Sequence, residues 1–378
     1  MMKRRNGLRM KTTKPLLSLA AGLVLGAGMM AGSLPAEACT SFVLPTTDGK
    51  RIYARTMEFE FDMKSSLVGV PRHLALSGTG PEGKTGMQWQ AKYAAVGMNA
   101  FGLPSLLDGM NEKGLAGGIL YFPGYAHYAP WKDEDRSNTL APWDVLTWAL
   151  TNFATVAEVK AALKDVRIAD VKQANMGISP PVHYTLHDAT GASLVIEPVN
   201  GELKVYDNPL GVMTNSPSLD WHLTNLRNYV NLRPENVDSL KINNYTVHAF
   251  GTGSGMHGIP GDSSPPSRFV RAAAYVLSAQ KVPDGVEGVR LAEHIANNFD
   301  MPKGLVQDAH MPPEYTQWTA IADTGTDRYY IKTWASPVLH GVGFDSFDVN
   351  GTKMMTFSFP DSAEPGMLKA ASAPSDVK

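Results

Sequence analysis

Cysteine is almost missing from this chain: 378 residues contain one, Cys39. No internal disulfide can form, so the fold must be held by its core. Long apolar runs are missing beyond the first 38 residues, where nothing approaches the ~20 residues of a membrane-spanning helix, so the mature chain is expected to carry no span. An excess of either charge is missing too. With 34 Lys+Arg against 36 Asp+Glu, nothing points to nucleic acid as a partner. Internal repeats and a sharp linker are also absent. The hydrophobic fraction of 43% and charged fraction of 19% are those of a globular protein with a sizeable core.

What is present begins at the N-terminus. Lys3, Arg4, Arg5, Arg9, Lys11 and Lys14 precede an apolar run over 16–30, and small residues follow, ending in Ala36-Glu37-Ala38. This is the anatomy of a secretory signal peptide, with cleavage expected between Ala38 and Cys39. It divides the chain into a signal peptide (1–38), one domain (39–362) and an Ala/Ser/Pro-rich tail (363–378) expected to be disordered. The mature chain holds 28 basic and 35 acidic residues, a net of −7, and its destination is the periplasm or the medium.

Cleavage there makes the single cysteine residue one. A thiol at pKa ~8.5 is mostly protonated at neutral pH, and the thiolate is the reactive form. An α-amine at roughly 7.7–8.0 can be neutral and take the thiol proton, so nucleophile and base share one residue. Three other readings compete: a lipidated cysteine, an unpaired structural thiol, or a cut one or two residues away. Lipoprotein processing asks for a large apolar residue three before the cysteine and small ones between, and Glu37 fits that badly.

Along the chain, 39–45 and 51–59 flank a turn at Asp48-Gly49 and predict a hairpin. An antiparallel return brings Arg55 back beside Cys39, where a guanidinium favours the thiolate. A second hairpin is predicted over 105–122, with Asn111 to Gly114 as its turn. Asn111 is then a turn former, and Tyr121 ends the strand before the Pro123-Gly124 loop. Helices are predicted over 141–150, 156–163, 221–229, 268–277 and 289–298. Further hairpins join 183–188 to 192–198 and 316–323 to 328–334, and 212–215 continues the β-rich stretch. His183 and His187 sit in a strand pattern with no third ligand nearby, so no metal site is expected. Arg268, in the first turn of its helix, opposes the helix dipole and so is expected to have an anionic partner elsewhere. Strands in blocks followed by helix pairs predict a layered α+β domain with mostly antiparallel sheets.

Cys39-Thr40-Ser41-Phe42, Arg55 in Arg-Thr-Met-Glu, Asp108-Gly109-Met110-Asn111-Glu112-Lys113-Gly114-Leu115, Met213-Thr214-Asn215-Ser216-Pro217 and Pro266-Ser267-Arg268-Phe269 occur in one order. Together they resemble the choloylglycine hydrolase family, penicillin V acylases and conjugated bile salt hydrolases, within the N-terminal nucleophile hydrolases. The resemblance spans Cys39 to about Trp334. It implies an αββα sandwich, hydrolysis of a linear amide, no cofactor or metal, a small-molecule acyl-amide substrate and a homo-oligomer, often a tetramer. It implies Cys39 as nucleophile, Arg55 and Arg268 as charges supporting the site, and Asn215 as oxyanion donor with a second donor from the Tyr121 segment. Glu58 stands where the family carries an Asp that holds the α-amine. Tyr121 stands where bile salt hydrolases tend to carry Asn and penicillin V acylases Tyr. This points first to a penicillin V acylase-like substrate, an aryl- or fatty-acyl amide. The alternatives are a conjugated bile salt or an N-acyl-homoserine lactone, and outside catalysis a secreted binding or lipoprotein module.

Overall fold

The computed structural model of the protein describes residues 38–307, 311–359, 364 and 367. The expected leader up to Glu37 and nearly all of the expected tail lie outside them. In chain order the strands of the two large sheets are β1 (Cys39–Pro45), β2 (Arg51–Phe59), β3 (Leu67–Val70), β4 (Ala95–Asn99), β5 (Leu106–Asn111), β6 (Ala116–Tyr121) and β7 (Val182–His187). After them come β8 (Ser193–Val199), β9 (Glu202–Asp207), β10 (Tyr315–Asp323), β11 (Arg328–Thr333), β12 (His340–Gly343) and β13 (Met355–Phe357). One sheet has the order β1-β2-β10-β11-β12, the other β9-β8-β7-β6-β5-β4-β3-β13. Neighbours in both are antiparallel.

Helices cover the outer faces. The helices are α1 (Val145–Asn152), α2 (Val156–Ala162), α3 (Leu219–Asn225), α4 (Pro265–Ser278) and α5 (Val286–Ala296). The pair α4 and α5 packs on the first sheet, and α1 and α2 pack on the second. Between the sheets Tyr53 and Met57 meet Val96, Met98, Met110 and Leu120 in one buried cluster. Beneath α1 and α2, Ile119, Tyr184 and Leu194 pack with Leu146, Leu150 and Val159. The result is the four-layer αββα sandwich, with Cys39 at the inner face.

Local chemistry explains where the elements begin. Thr155 and Glu158 form a reciprocal capping box that starts α2, satisfying two N–H groups the first turn leaves open. The helix carrying Arg268 starts earlier than expected, at Pro265, because proline suits a first turn that needs no amide hydrogen. The expected strand over 212–215 does not form; Met213 makes one isolated bridge to Ser41. Two strands carry no sequence signal, β12 and β13, each of only four or three residues at a sheet edge.

Close approach of β4 and β5 depends on glycine. A Cβ on Gly97 would stand 2.0 Å from the Asp108 carbonyl oxygen, and backbone cannot retreat as a flexible side chain can. Gly97→Ala is therefore expected to cost about 3 kcal/mol in urea unfolding, whereas Gly261→Ala, with open space around it, changes stability by about 0.5 kcal/mol or less. Equal midpoints for the two variants would contradict the account.

Candidate active site

The β1–β2 hairpin does what its turn predicts. Its register sets Cys39 opposite Met57 and Ser41 opposite Arg55, so the guanidinium folds back toward the thiol. Arg55 Nη2 donates to Cys39 Sγ at 3.2 Å and lies equally close to Met57 Sδ, and Nη1 donates to the Leu107 carbonyl at 3.0 Å. The Trp318 ring covers the cation at 5.1 Å. Arg55 is fully buried. Burial works against its charge, yet Cys39 and Asp108 hold its pKa above the ordinary arginine value.

Behind Arg55 lies a group whose role no local pattern announces. Asp108 Oδ2 stands 3.7 Å from Arg55 Nη1 and accepts from the Tyr53 hydroxyl at 2.6 Å, while Oδ1 accepts from Tyr329 at 2.7 Å. The aspartate comes from one sheet and both tyrosines from the other, so the cluster pins the layers together. Gly118 leaves room for it: a Cβ there would lie 2.6 Å from Asp108 Oδ2 and 2.7 Å from the Tyr53 oxygen. Burial pushes Asp108 up to about 6 despite Arg55 and the two hydroxyls.

Asn215 and Arg268 join Cys39 on its other side. The Cys39 amide donates to Asn215 Oδ1 at 2.7 Å, and Arg268 Nη2 donates to the same oxygen at 2.7 Å. Asn215 Nδ2 donates to the Tyr121 carbonyl at 2.8 Å. Two donors on one side and an acceptor on the other fix which way the amide points. Arg268 also donates to the Cys39 carbonyl, to Thr40 Oγ1 at 2.8 Å and to the Ser263 carbonyl at 2.9 Å. The anionic partner expected for Arg268 is thus not in contact with it. Its hydrogen-bond partners are neutral oxygens, and Glu58 and Glu314 act on it through space while burial lowers it to about 10.

Glu58 is the expected residue that the structure does not bring to Cys39 directly. Its carboxylate accepts from Thr316 at 2.7 Å and Thr56 at 3.2 Å, and the nitrogen it would hold is on Asn215. Tyr121 ends β6 as predicted, its ring edge-on to Phe59 at 6.1 Å between centroids. Asn111 is the turn former expected, its Oδ1 accepting from Lys113 and Leu115. His183 Nε2 meets the Thr214 carbonyl and its Nδ1 lies 3.6 Å from Glu197, and His187 meets Ser193 and Thr185.

Two clefts flank Cys39. One is an apolar cavity of about 70 Å³ that reaches Cys39 and Arg55 between Met57, Phe59, Met63, Phe101, Tyr121 and Trp143. The other, on the Asn215 and Arg268 side, is lined by Ala38, Gly124, Ser216, Asp262 and Glu314.

Burial pushes Glu58 up to about 8 against the pull of Arg268 and its two threonine partners. A carboxyl whose pKa is raised on folding stabilises the fold fully below its unfolded value near 4.5, and that stability is lost as pH rises through 8. Measured on the chain that keeps Ala38, wild type should therefore lose stability relative to Glu58→Gln between pH 5 and 8, by on the order of 3 kcal/mol. A difference that stays constant over that range would overturn the assignment.

Comparison with known proteins follows the same residues. A family described as linear amide C–N hydrolases, choloylglycine hydrolase family, matches residues 39–357, starting at Cys39. The chain is 33% identical over 325 residues to the bile salt hydrolase/transferase of Clostridium perfringens, covering 85% of this chain and 97% of that one. It is 29% identical over 357 residues to the penicillin V acylase of Pectobacterium atrosepticum, covering 88% and 86%. A crystal structure of a conjugated bile acid hydrolase variant from C. perfringens superposes with a TM-score of 0.78 at 31% identity, covering 88% of this chain and all of that one. This protein belongs to the choloylglycine hydrolase family of linear amide C–N hydrolases.

Proposed function

We propose that Cys39, exposed as residue one by removal of 1–38, is the nucleophile with which this amidohydrolase attacks a small-molecule acyl amide. The observation that carries this is Arg55 Nη2 at 3.2 Å from Cys39 Sγ, at the end of an apolar cavity. The guanidinium favours the thiolate, and the freed α-amine takes the thiol proton. The thiolate attacks the amide carbonyl. Asn215 Nδ2 gives one hydrogen to Tyr121 and has a second for the oxyanion, where one such donor is typically worth ~10²–10³ in rate. The protonated amine then gives its proton to the leaving amine, and water cleaves the thioester. Arg268 holds Asn215 and the Cys39 carbonyl in place. Glu58 acts at one remove, through its charge on Arg268.

For the acyl group we infer the penicillin V acylase type, an aryl- or fatty-acyl amide. The cavity of about 70 Å³ is smaller than the engineered ~150 Å³ cavity that takes up benzene, so a slim ring or chain enters with less displacement than four fused rings. A bile salt is the second choice, favoured by the sequence similarity to bile salt hydrolases. N-acyl-homoserine lactones remain a third. Export to the periplasm or medium follows from the leader, and an intact mass beginning at an unmodified Cys39 separates this from a lipidated product.

We also propose a homo-oligomer. Residues 230–261 form an arm on which Val230, Leu240, Tyr245 and Phe250 are exposed, and its strands Leu240–Ile242 and Tyr245–Val247 pair only with each other. A lone hairpin is marginal in water, and apolar side chains grouped on it suit a second copy.

The purified mature protein should hydrolyse penicillin V faster than penicillin G, glycocholate or a long-chain acyl-homoserine lactone. Cys39→Ala should abolish turnover, and Cys39→Ser should lose most of it because an alkoxide is far harder to form than a thiolate. Turnover in Cys39→Ala would remove the nucleophile, and a preference for glycocholate would replace the acyl assignment. By sedimentation, Tyr245→Ser with Phe250→Ser should dissociate the oligomer, and a monomeric wild type would end that proposal.

A further inference from the structure

No sheet holds the main chain that carries Asn215. Past the bridge at Met213, Thr214 and Asn215 are buried, and buried carbonyls need donors. Two histidines supply them. His183 Nε2 lies 2.9 Å from the Thr214 carbonyl, and His222 Nε2 lies 3.0 Å from the Asn215 carbonyl. A carbonyl only accepts, so both rings carry their hydrogen on Nε2.

Both imidazoles are fully buried and clamped by stacking. His183 lies on Phe122 at 4.3 Å and 12°, and His222 on Phe269 at 4.5 Å and 10°. Phe122 directly follows Tyr121, whose carbonyl takes Asn215 Nδ2; Phe269 directly follows Arg268, which donates to Asn215 Oδ1. The two segments that grip the Asn215 side chain therefore also seat the rings that grip its main chain. Burial lowers His222 to about 4, which leaves it neutral at working pH.

We propose that His183 and His222 are positioning residues for the hydrolysis, a pair of N–H donors that fix the Thr214 and Asn215 carbonyls so that Asn215 Nδ2 stays aimed at the oxyanion. This rests on Asn215 being the oxyanion donor. A ring held only for packing would tolerate loss of its N–H; a positioning ring would not.

The test uses His183→Phe and His222→Phe, which keep an aromatic ring and lose the donor, with His222→Gln returning an N–H and Asn215→Ala as reference. On the amide preferred in the panel, each Phe variant should lower kcat about 10- to 100-fold, part of what losing the whole donor costs. KM should stay within about twofold. Alkylation of Cys39 by iodoacetamide should run at the wild-type rate, because Arg55 is untouched. His222→Gln should recover part of kcat. In an Asn215→Ala background, His222→Phe should add less than about twofold, since the two act through one donor.

Wild-type kcat in both Phe variants alongside a slow Asn215→Ala would overturn the proposal, as would losses that multiply in the double variant. Wild-type kcat in Asn215→Ala would instead remove the oxyanion assignment. If one Phe variant does not fold, the other decides by the same criteria, and failure of both to fold would make the pair structural and end the proposal.

Discussion

A fully buried guanidinium is the constraint on which the rest of this structure depends. Arg55 is shielded from bulk solvent, so its charge depends on partners from the chain. The thiol lies on one side, Asp108 and the Leu107 carbonyl on the other, and the Trp318 ring over its face. Replacing such a cluster with apolar residues often costs a fold nothing. Its cost is justified by what the charge faces, a sulfur whose reactive form is an anion. The demand then spreads outward. Asp108 needs the hydroxyls of Tyr53 and Tyr329, which ties the two sheets together, and the cluster needs a strand without a side chain at Gly118.

What is legible in the sequence follows the range over which a signal acts. The Asp48-Gly49 turn sets the β1–β2 register within 20 residues, so the meeting of Cys39 and Arg55 is written in the local pattern alone. Thr155 and Glu158 announce α2 in the same local way. Asp108 belongs to a visible motif, but its role does not show there, because its partners stand 55 and 221 positions away. His183 is hidden for the same reason. His183 invites comparison only with His187, its neighbour along the strand, whereas the atom it serves is the Thr214 carbonyl, 31 residues on. Strands β12 and β13 are too short to show a periodicity. Met355 to Phe357 becomes a strand because β3 offers an edge.

Glu58 illustrates a different limit. Its place in the motif is correct, and the carboxyl is buried near Arg268, but what it touches does not follow from its place. The extra methylene relative to Asp is accompanied by two threonine hydroxyls that take both of its oxygens. A carboxyl pushed to about 8 is largely protonated at neutral pH in the uncleaved chain. Its charge develops only as pH approaches 8, and it then acts on Arg268 at one remove rather than on the Cys39 nitrogen, which Asn215 holds.

On the cleavage proposed above, the nitrogen of Cys39 decides how the site changes. In the uncut chain it is an amide with one hydrogen, given to Asn215 Oδ1, and its lone pair is delocalised into the Ala38 carbonyl. It is anchored but has no basicity. Cutting that bond localises the lone pair without requiring the nitrogen to move, because Asn215 Oδ1 can accept from an amine as it does from an amide. The thiol, the Arg55 guanidinium and the Asn215 amide are already in register with Ala38 still attached. Removal of the leader, as proposed, need then supply only the base. Activation on this account is a change in the chemistry of one atom within a scaffold already built for the reaction.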